Sequence, residues 1–202
     1  MEEKLPATIS RTIQTKLVLP PDTNHMGTIF GGTVLASIDE IAAIAAMKHS
    51  GSVVVTASID TVNFLSTAKA GDILTLEAVV VSTGRTSMEV YVKVECQHLD
   101  TSEITTTTTA ILTMVAINSE GIPTKVSGVI PETEEEKHLF QSAQIRKSRR
   151  MQIREYSGGR LERILPLSQL HLTISLPALR KLQKNKISTR SSKHCSKQWQ
   201  SK

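Results

Sequence analysis

The sequence predicts an α+β fold in which an antiparallel β-sheet wraps around one long central helix, followed by a second helix and an irregular basic tail. One segment has helical spacing and is apolar nearly all round, so we expect the rest of the fold to enclose it. Four strand-like segments follow it in series with short turns between them, and one precedes it. The length of 202 residues favours a single domain with some chain left over.

The first predicted element is a strand over residues 7–19. This segment, ATISRTIQTKLVL, alternates loosely, is rich in Thr, Ile and Val, and is followed by Pro20 and Pro21. Because proline is tolerated at the edge of a sheet and ends a strand, we expect an edge strand here.

The central helix is predicted to open at Gly31 and Gly32 and to end near Gly51. Turn-forming residues dominate 21–32, and apolar residues then recur at helical spacing through TVLASIDEIAAIAAMKHSG. Asp39 and Glu40 are the only acidic residues of this helix.

Four strands are predicted after the helix, at residues 52–65, 73–82, 85–97 and 103–117. The third shows clean alternation, with one face made of Met88, Val90, Val92, Val94 and Cys96 and the other of Glu89, Tyr91, Lys93 and Glu95. We therefore expect one face of this strand in the core and the other in water.

The C-terminal part has a different composition. Residues 131–150 are predicted to form a helix, since acidic residues occupy its first turn and Arg and Lys its last. Residues 151–202 are predicted to be a poorly ordered basic tail, with one short helix around ALRKLQK. Residues 1–136 carry 8 basic and 17 acidic residues, whereas 137–202 carry 16 basic and 2 acidic ones.

Several classes of protein are excluded by the sequence. No run approaches the roughly 18 to 20 apolar residues of a membrane helix, and the acidic start is unlike a secretory signal, so we expect a cytoplasmic protein with no membrane partner. Cys96 and Cys195 are far apart and belong to no CxxC or His/Cys cluster. The sequence therefore predicts neither disulfides nor a metal site, and Cys96 is interpreted as a small core residue.

Two features point to chemistry. The amides of Gly31 and Gly32 lie at the positive end of the central helix, where they can stabilise an anion or a developing oxyanion, although a simple glycine-rich turn has the same pattern. Asp39 is a carboxylate in an apolar helix, a situation typical of functional sites, unless it only reaches water beside Glu40.

The spacing of these two features favours a site shared between chains. Gly31 and Asp39 are eight residues apart, which separates them by about 12 Å along a helix axis. If both act on one substrate, a two-fold pair with antiparallel central helices would place Gly31 of one chain beside Asp39 of the other.

The sequence resembles the hotdog-fold acyl-CoA thioesterases, specifically the acyl-CoA hydrolase group. The segments PDTNHMGTIFGGTVLASIDEIAAIAA, TVNFLSTAKAGD and TGRTSMEV carry the resemblance, which covers residues 7 to about 150. It implies a hotdog domain over 7–125 that hydrolyses fatty acyl-CoA to free acid and CoA.

The resemblance also implies roles for single residues. Asp39 matches the catalytic carboxylate, acting as general base or as nucleophile, and Asn24 matches the polar residue that holds the thioester or the water. Gly31 matches the glycine whose amide polarises the carbonyl, and Phe30 replaces a histidine that many members carry before it. His25, in the same loop, matches a position that is not catalytic.

CoA binding is expected to involve two further regions. The candidate residues are Gly32, Arg85, Thr86, Ser87, Lys147 and Arg149, with Arg150 next to the last of these. For the arginines and the lysine, an ordinary solvated charge is the alternative interpretation. No separate cofactor is expected, because CoA is itself part of the substrate and the product.

The composite site predicts a homodimer, either alone or as a trimer of dimers. A second hypothesis is a non-catalytic acyl-CoA sensor of the same fold whose basic tail contacts nucleic acid. Because the sequence shows no helix-turn-helix or zinc module and retains Asn24, Gly31 and Asp39 together, it favours the enzyme.

Overall fold

A five-stranded antiparallel sheet packs against a central helix in the computed structural model, which describes residues 3–156. The elements, in chain order, are β1 (Lys4–Pro6), β2 (Thr12–Leu17), α1 (Gly31–Ser50), β3 (Val53–Phe64), β4 (Ile73–Thr83), β5 (Ser87–Gln97), β6 (Ile104–Ile117), β7 (Gly128–Ile130) and α2 (Glu134–Tyr156). The strand order in the sheet is β2-β4-β5-β6-β3, so β2 and β3 are its edges. The predicted α+β fold is confirmed.

The core lies between α1 and the sheet and is aliphatic. The helix contributes Ile38 and Ile41 together with four alanine or valine side chains, and the sheet contributes the apolar faces of β4, β5 and β6. The small residues of α1 let the strands approach it closely. The helix ends as predicted, at Gly51, whose φ of +62° is a left-handed conformation that glycine adopts without strain.

The predicted strand over residues 7–19 is wrong in its first half. Residues Ala7–Ile9 form a 3₁₀ turn, and the strand begins only at Thr12. Ser10 closes this turn by donating from Oγ to the Ala7 carbonyl at 2.7 Å, and its Oγ accepts the Val80 amide at 2.9 Å. Side-chain hydrogen bonding thus replaces strand pairing there.

Two strands of three residues were missed by the sequence analysis. They are β1 and β7, which pair in parallel with Leu5 opposite Val129. Segments this short show no periodicity, and their pairing depends on contacts between the two ends of the domain.

The second helix is displaced from its predicted range of 131–150. It begins at Glu134 because Thr133 and Glu136 form a capping box: Thr133 Oγ1 accepts the Glu136 amide at 3.2 Å, and Glu136 Oε2 accepts the Thr133 amide at 3.0 Å. The helix then continues to Tyr156, six residues past the predicted end. The rest of the predicted tail, including the ALRKLQK segment, lies outside the described residues.

The face of β5 that was expected to be in water is partly covered by α2. Glu89 is only 5% exposed. Its two carboxylate oxygens accept hydrogen bonds from Arg146 and Arg150 of α2, at 2.7 and 2.6 Å, and Arg150 also donates to Asp60 of β3 at 2.6 Å. These four side chains, the outer ionic cluster, join α2 to the sheet. Within residues 3–156, neither helix combines the length and apolarity needed to cross a membrane.

The outer ionic cluster predicts a large stability difference between two glutamates of β5. Glu89→Ala leaves two partly buried guanidinium groups short of a partner and is expected to lower the free energy of unfolding by about 3 kcal/mol. Glu95→Ala removes a partly exposed ion pair with Lys93 and should lower the free energy of unfolding by less than about 1 kcal/mol. Urea unfolding of both variants measures this, and equal losses would contradict the role of the cluster.

Tyr91 predicts a loss of stability in alkali. Burial, followed by the charge and hydrogen bond of Glu135, raises the pKa of Tyr91 to about 12. The pKa is higher in the folded protein than in the unfolded chain, so the folded state favours the protonated phenol. The contribution of Tyr91 to the free energy of unfolding is therefore complete below about pH 10 and is lost between about pH 10 and 12. Tyr91→Phe should remove that part of the pH dependence in denaturant melts. An unchanged alkaline profile would show that Tyr91 does not cause it.

Candidate active site

Asp39 lies on α1 and contacts the edge strand β3. Its side chain is partly buried, and its Oδ1 accepts a hydrogen bond from Thr56 Oγ1 at 2.7 Å. Asp39 therefore does not simply point into water beside the exposed Glu40. Since the described hydrogen bond uses only Oδ1, Thr56 orients the carboxylate and leaves Oδ2 available for a proton or a water molecule.

Asn24 lies in the loop that leads into α1, where it holds a tight turn. Its Oδ1 accepts the Met26 amide at 2.9 Å, and its Nδ2 donates to Thr28 Oγ1 at 3.1 Å. Gly27 completes the turn with a φ of +73° and donates its amide to the Asn24 carbonyl. The carboxamide is thus fixed by its own loop and keeps one Nδ2 hydrogen for another acceptor.

Gly31 and Gly32 are the first two residues of α1, as predicted. The residue before them, Phe30, provides no side-chain cap, and its carbonyl accepts from Thr33 and Val34 rather than from the glycines. A Cβ at Gly31 would lie 3.4 Å from the Phe64 ring. The glycine amides thus lie at the positive end of α1.

These residues are held in two places within one chain. Asp39, the partner of Thr56, lies in the third turn of α1, whereas Gly31 is its first residue and Asn24 lies in the loop before it. Eight helical residues place Gly31 about 12 Å from Asp39 along the axis. The structure shows Asp39 paired with Thr56, but it does not bring Asp39 to the Gly31 amide.

The predicted CoA-binding turn lines a separate cleft. Arg85 is exposed in the turn between β4 and β5, beside a cleft of about 590 Å³ that Lys4 and Lys125 also line. The backbone fixes this turn, because the carbonyls of Arg85 and Thr86 accept amides from Val126 and Ala116, both at 3.0 Å. The cleft is lined by none of Asn24, Gly31 and Asp39.

The remaining candidates fall into two groups. Ser87 and Lys147 line one small cavity of about 30 Å³ next to the cleft, so the structure brings them together. Arg149 is exposed and lines neither space. Arg150 belongs to the outer ionic cluster, where it pairs with Asp60 and Glu89. Its guanidinium is therefore not free to contact a CoA phosphate, in contrast to the interpretation from the sequence.

Sequence reasoning missed Thr56 and the surroundings of two other residues. Thr56 is the first polar residue in the run VVVTA, which is a weak signal, because only the packing of β3 on α1 makes it the partner of Asp39. His98, interpreted as an ordinary loop residue, lies against Asp72 and Cys96. Burial, and then the neighbouring Asp72, raises the pKa of the Cys96 thiol to about 12, so this buried thiol is a poor nucleophile at neutral pH.

Comparisons with known proteins agree on one family. A model of the thioesterase superfamily matches residues 26–103. An uncharacterized acyl-CoA thioester hydrolase of Bacillus subtilis is 43% identical over 148 residues, 73% of this chain and 86% of the relative. The rat cytosolic acyl coenzyme A thioester hydrolase is 32% identical over 72% of this chain, which spans only 38% of that protein.

Solved structures share both the sequence and the architecture. A hexameric acyl-CoA thioesterase, solved without ligand, is 60% identical with a TM-score of 0.73, and the match covers 74% of this chain and 96% of that one. An acyl-CoA hydrolase of Staphylococcus aureus, solved with butyryl-CoA and CoA, is 42% identical with a TM-score of 0.73 over 81% and 99% of the two chains.

Three structures of variants of the staphylococcal enzyme are also similar. The first replaces an asparagine by alanine, the second an aspartate and the third a threonine. In the staphylococcal sequence the aspartate lies 15 positions after the asparagine, and the threonine 17 positions after the aspartate. Asn24, Asp39 and Thr56 have the same spacing of 15 and 17 in this chain. With a relative 43% identical over most of its length, the chain belongs to the acyl-CoA thioester hydrolases of the thioesterase superfamily, which have the hotdog fold.

Proposed function

We propose that this acyl-CoA hydrolase cleaves fatty acyl-CoA thioesters to a free fatty acid and CoA, with Asp39 at the reacting centre. One observation carries the proposal: Asp39 is a partly buried carboxylate whose Oδ1 is fixed by Thr56, and both residues share their spacing with residues studied in the staphylococcal hydrolase. A positioned carboxylate on a central helix is suited to act on a water molecule or directly on the thioester.

We favour the general-base route for Asp39. Oδ2 takes a proton from a water molecule while the water oxygen bonds to the thioester carbonyl carbon. The tetrahedral intermediate then breaks its carbon–sulfur bond, and the CoA sulfur leaves as a thiolate that takes up a proton. No further group is needed as nucleophile, since a thioester is already an activated acyl group.

Gly31 supplies the complementary part of the site in this proposal. Its amide points out of the positive end of α1, where it can donate to the thioester oxygen as that oxygen gains negative charge. Asn24 lies in the adjoining loop and can donate its remaining Nδ2 hydrogen to the thioester or to the water. Oxyanion donors of this kind commonly lower a barrier by about 3 kcal/mol.

The CoA half of the substrate is assigned to the cleft beside the turn between β4 and β5. The Arg85 guanidinium can bind a phosphate group. Gly84 lines both this cleft and the small cavity that Ser87 and Lys147 line, so the two spaces adjoin. Thr86, Gly32 and Arg149 stay candidates, because no described contact assigns them a role in binding CoA. No cofactor is proposed, since CoA is part of the substrate and the product.

We propose that the active form is a homodimer in which two composite sites lie across the interface. The edge strand β3 is 12 residues long and exposes Val53, Ile59 and Phe64, a surface that an isolated protein would leave open to edge pairing. Antiparallel pairing of two such chains would bring Asp39 of one chain near Gly31 of the other. Assembly into a trimer of dimers is consistent with the hexameric form of the similar thioesterase.

The cytoplasmic location stays a prediction. The expectation that the basic tail does not bind nucleic acid also stays a prediction. The rat relative is a cytosolic enzyme. Membership of the hydrolase family favours catalysis over the alternative of a non-catalytic acyl-CoA sensor.

Substitution of Asp39 and of its neighbour tests the reacting centre. Asp39→Asn is expected to lower kcat at least about a hundredfold across a panel of acyl-CoAs, measured by release of free thiol. Glu40→Gln, which changes the exposed carboxylate next in sequence, should keep near wild-type kcat. Full activity of folded Asp39→Asn would remove Asp39 from the mechanism, and no turnover on any chain length by wild-type protein would overturn the fatty acyl-CoA proposal.

Thr56→Val tests the positioning of Asp39. The variant keeps the shape of the side chain and removes the 2.7 Å hydrogen bond, so kcat should fall about five- to tenfold with little change in KM. The matched control is Thr61→Val, at an exposed position of the same strand. Equal kcat values for the two variants would show that Thr56 does not position the carboxylate.

Mixing two inactive variants tests the composite site. In a dimer of one Asn24→Ala chain and one Asp39→Asn chain, one of the two composite sites is intact, so random mixing should recover about a quarter of wild-type activity. If each site were built from a single chain, every site would carry one lesion and the mixture would stay as inactive as its parents. The exchange of chains is checked with differently tagged variants by pull-down.

A further inference from the structure

Asp72, Cys96 and His98 form a cluster of potential metal ligands outside the proposed catalytic site. Asp72 lies just before β4, Cys96 lies at the end of the neighbouring strand β5, and His98 directly follows that strand. Within residues 3–156, these are the only three His, Cys, Asp or Glu side chains whose ligand atoms all lie within 4.8 Å of one another. The sequence predicted no metal site because Cys96 and Cys195 are far apart and show no CxxC or His/Cys cluster, and Asp72 lies 24 residues from Cys96.

Two of the three distances between the ligand atoms match those around a tetrahedral metal ion, and the third is slightly short. Cys96 Sγ lies 3.6 Å from both Asp72 Oδ2 and His98 Nδ1, and His98 Nδ1 lies 3.0 Å from Asp72 Oδ2. Zinc bonds of about 2.3 Å to sulfur and about 2.0 Å to nitrogen or oxygen place tetrahedral ligand atoms about 3.3 to 3.6 Å apart. A small shift of the His98 ring would complete this geometry.

The surrounding backbone and side chains hold the three groups in place. The Lys69 amide donates to Asp72 Oδ2 at 2.8 Å, and the Asp72 carbonyl accepts the Val18 amide at 2.9 Å. His98 Nε2 lies 3.0 Å from Thr105 Oγ1 on β6. Such an outer partner fixes the ring orientation and, by accepting a hydrogen bond from Nε2–H, leaves Nδ1 as the ligand atom.

We infer that Asp72, Cys96 and His98 bind a zinc ion through one carboxylate oxygen, one thiolate sulfur and one imidazole nitrogen. This mixed donor set suits Zn²⁺ better than Mg²⁺ or Ca²⁺, which prefer oxygen ligands alone. Cys96 is fully buried, whereas the His98 side chain is about 20% exposed, so a water molecule can occupy the fourth position from that side. The thiol proton leaves to solvent when the sulfur binds the ion.

A zinc ion at this site would link the turn before β4, the end of β5 and, through Thr105, the start of β6. Asp72 belongs to the turn before β4, and Lys69 of this turn pairs with Thr28 of the Asn24 loop. Thr105 lies opposite Cys96 near the start of β6. A zinc ion there stabilises this end of the sheet. This inference does not depend on the hydrolase chemistry proposed for Asp39.

Cobalt titration of the full chain tests the inference. The protein is prepared without a histidine tag in a Cys195→Ser background, so Cys96 is the one remaining thiol of the sequence. After treatment with a chelator, Co²⁺ is expected to bind at one equivalent per chain, with a thiolate-to-cobalt charge-transfer band and tetrahedral visible bands. One equivalent of Zn²⁺ should abolish both bands and raise Tm.

Single substitutions identify the ligands. Cys96→Ser should lose the charge-transfer band, and His98→Gln should weaken Co²⁺ binding at least tenfold. His138→Gln, at an exposed histidine of α2, is the matched control and should bind like the parent. Absence of the charge-transfer band in the folded parent, or its persistence in Cys96→Ser, would overturn the proposal. Because the parent measurement already isolates Cys96, the test holds even if a variant fails to fold.

Discussion

Enclosure of α1 by the sheet is the constraint on which the rest of the structure depends. The helix has apolar side chains on nearly every side, and burial of such surface stabilises the fold by about 25 cal/mol per Å². The sheet covers the face of α1 whose buried residues recur at helical spacing: Val34, Ile38, Ile41, Ala42, Ala45, Ala46 and His49. The alanines of α1 make this possible, because small side chains leave room for the closely packed faces of β4, β5 and β6.

The same enclosure explains why Asp39 matters. A carboxylate on such a helix must find polar partners or contact solvent, and Thr56 on the edge strand supplies the partner. Asp39 thus lies where the sheet ends, in contact with both protein and solvent. A site at the edge of a sheet is also a site at the surface where a second chain can pack, which links the proposed chemistry to the proposed dimer.

The second helix holds the opposite face of the sheet by charge as well as by apolar contact, since Leu139 packs against the core and Ala143 is buried. Its Arg146 and Arg150 meet Glu89, and Arg150 reaches Asp60 on β3. Asp60 and Thr56 both belong to β3. The outer ionic cluster therefore fixes the position of the strand whose Thr56 orients Asp39. Buried ion pairs contribute little net stability compared with apolar packing, but removal of one partner is costly, so they fix how the helix docks.

The sequence by itself determined the fold class, the extents of α1 and of four strands, and the candidates Asn24, Gly31 and Asp39. The fold class, the extents of these elements, Gly31 and Asp39 follow from local patterns: periodicity, turn residues and one charge in an apolar helix. Asn24 follows from the resemblance to the acyl-CoA hydrolases. Only the tertiary structure decided that Thr56 is the partner of Asp39, that Glu89 is buried, and that Asp72, Cys96 and His98 meet. Each of these is a contact between residues that are remote in sequence, brought together by strand pairing and helix packing that no local pattern records.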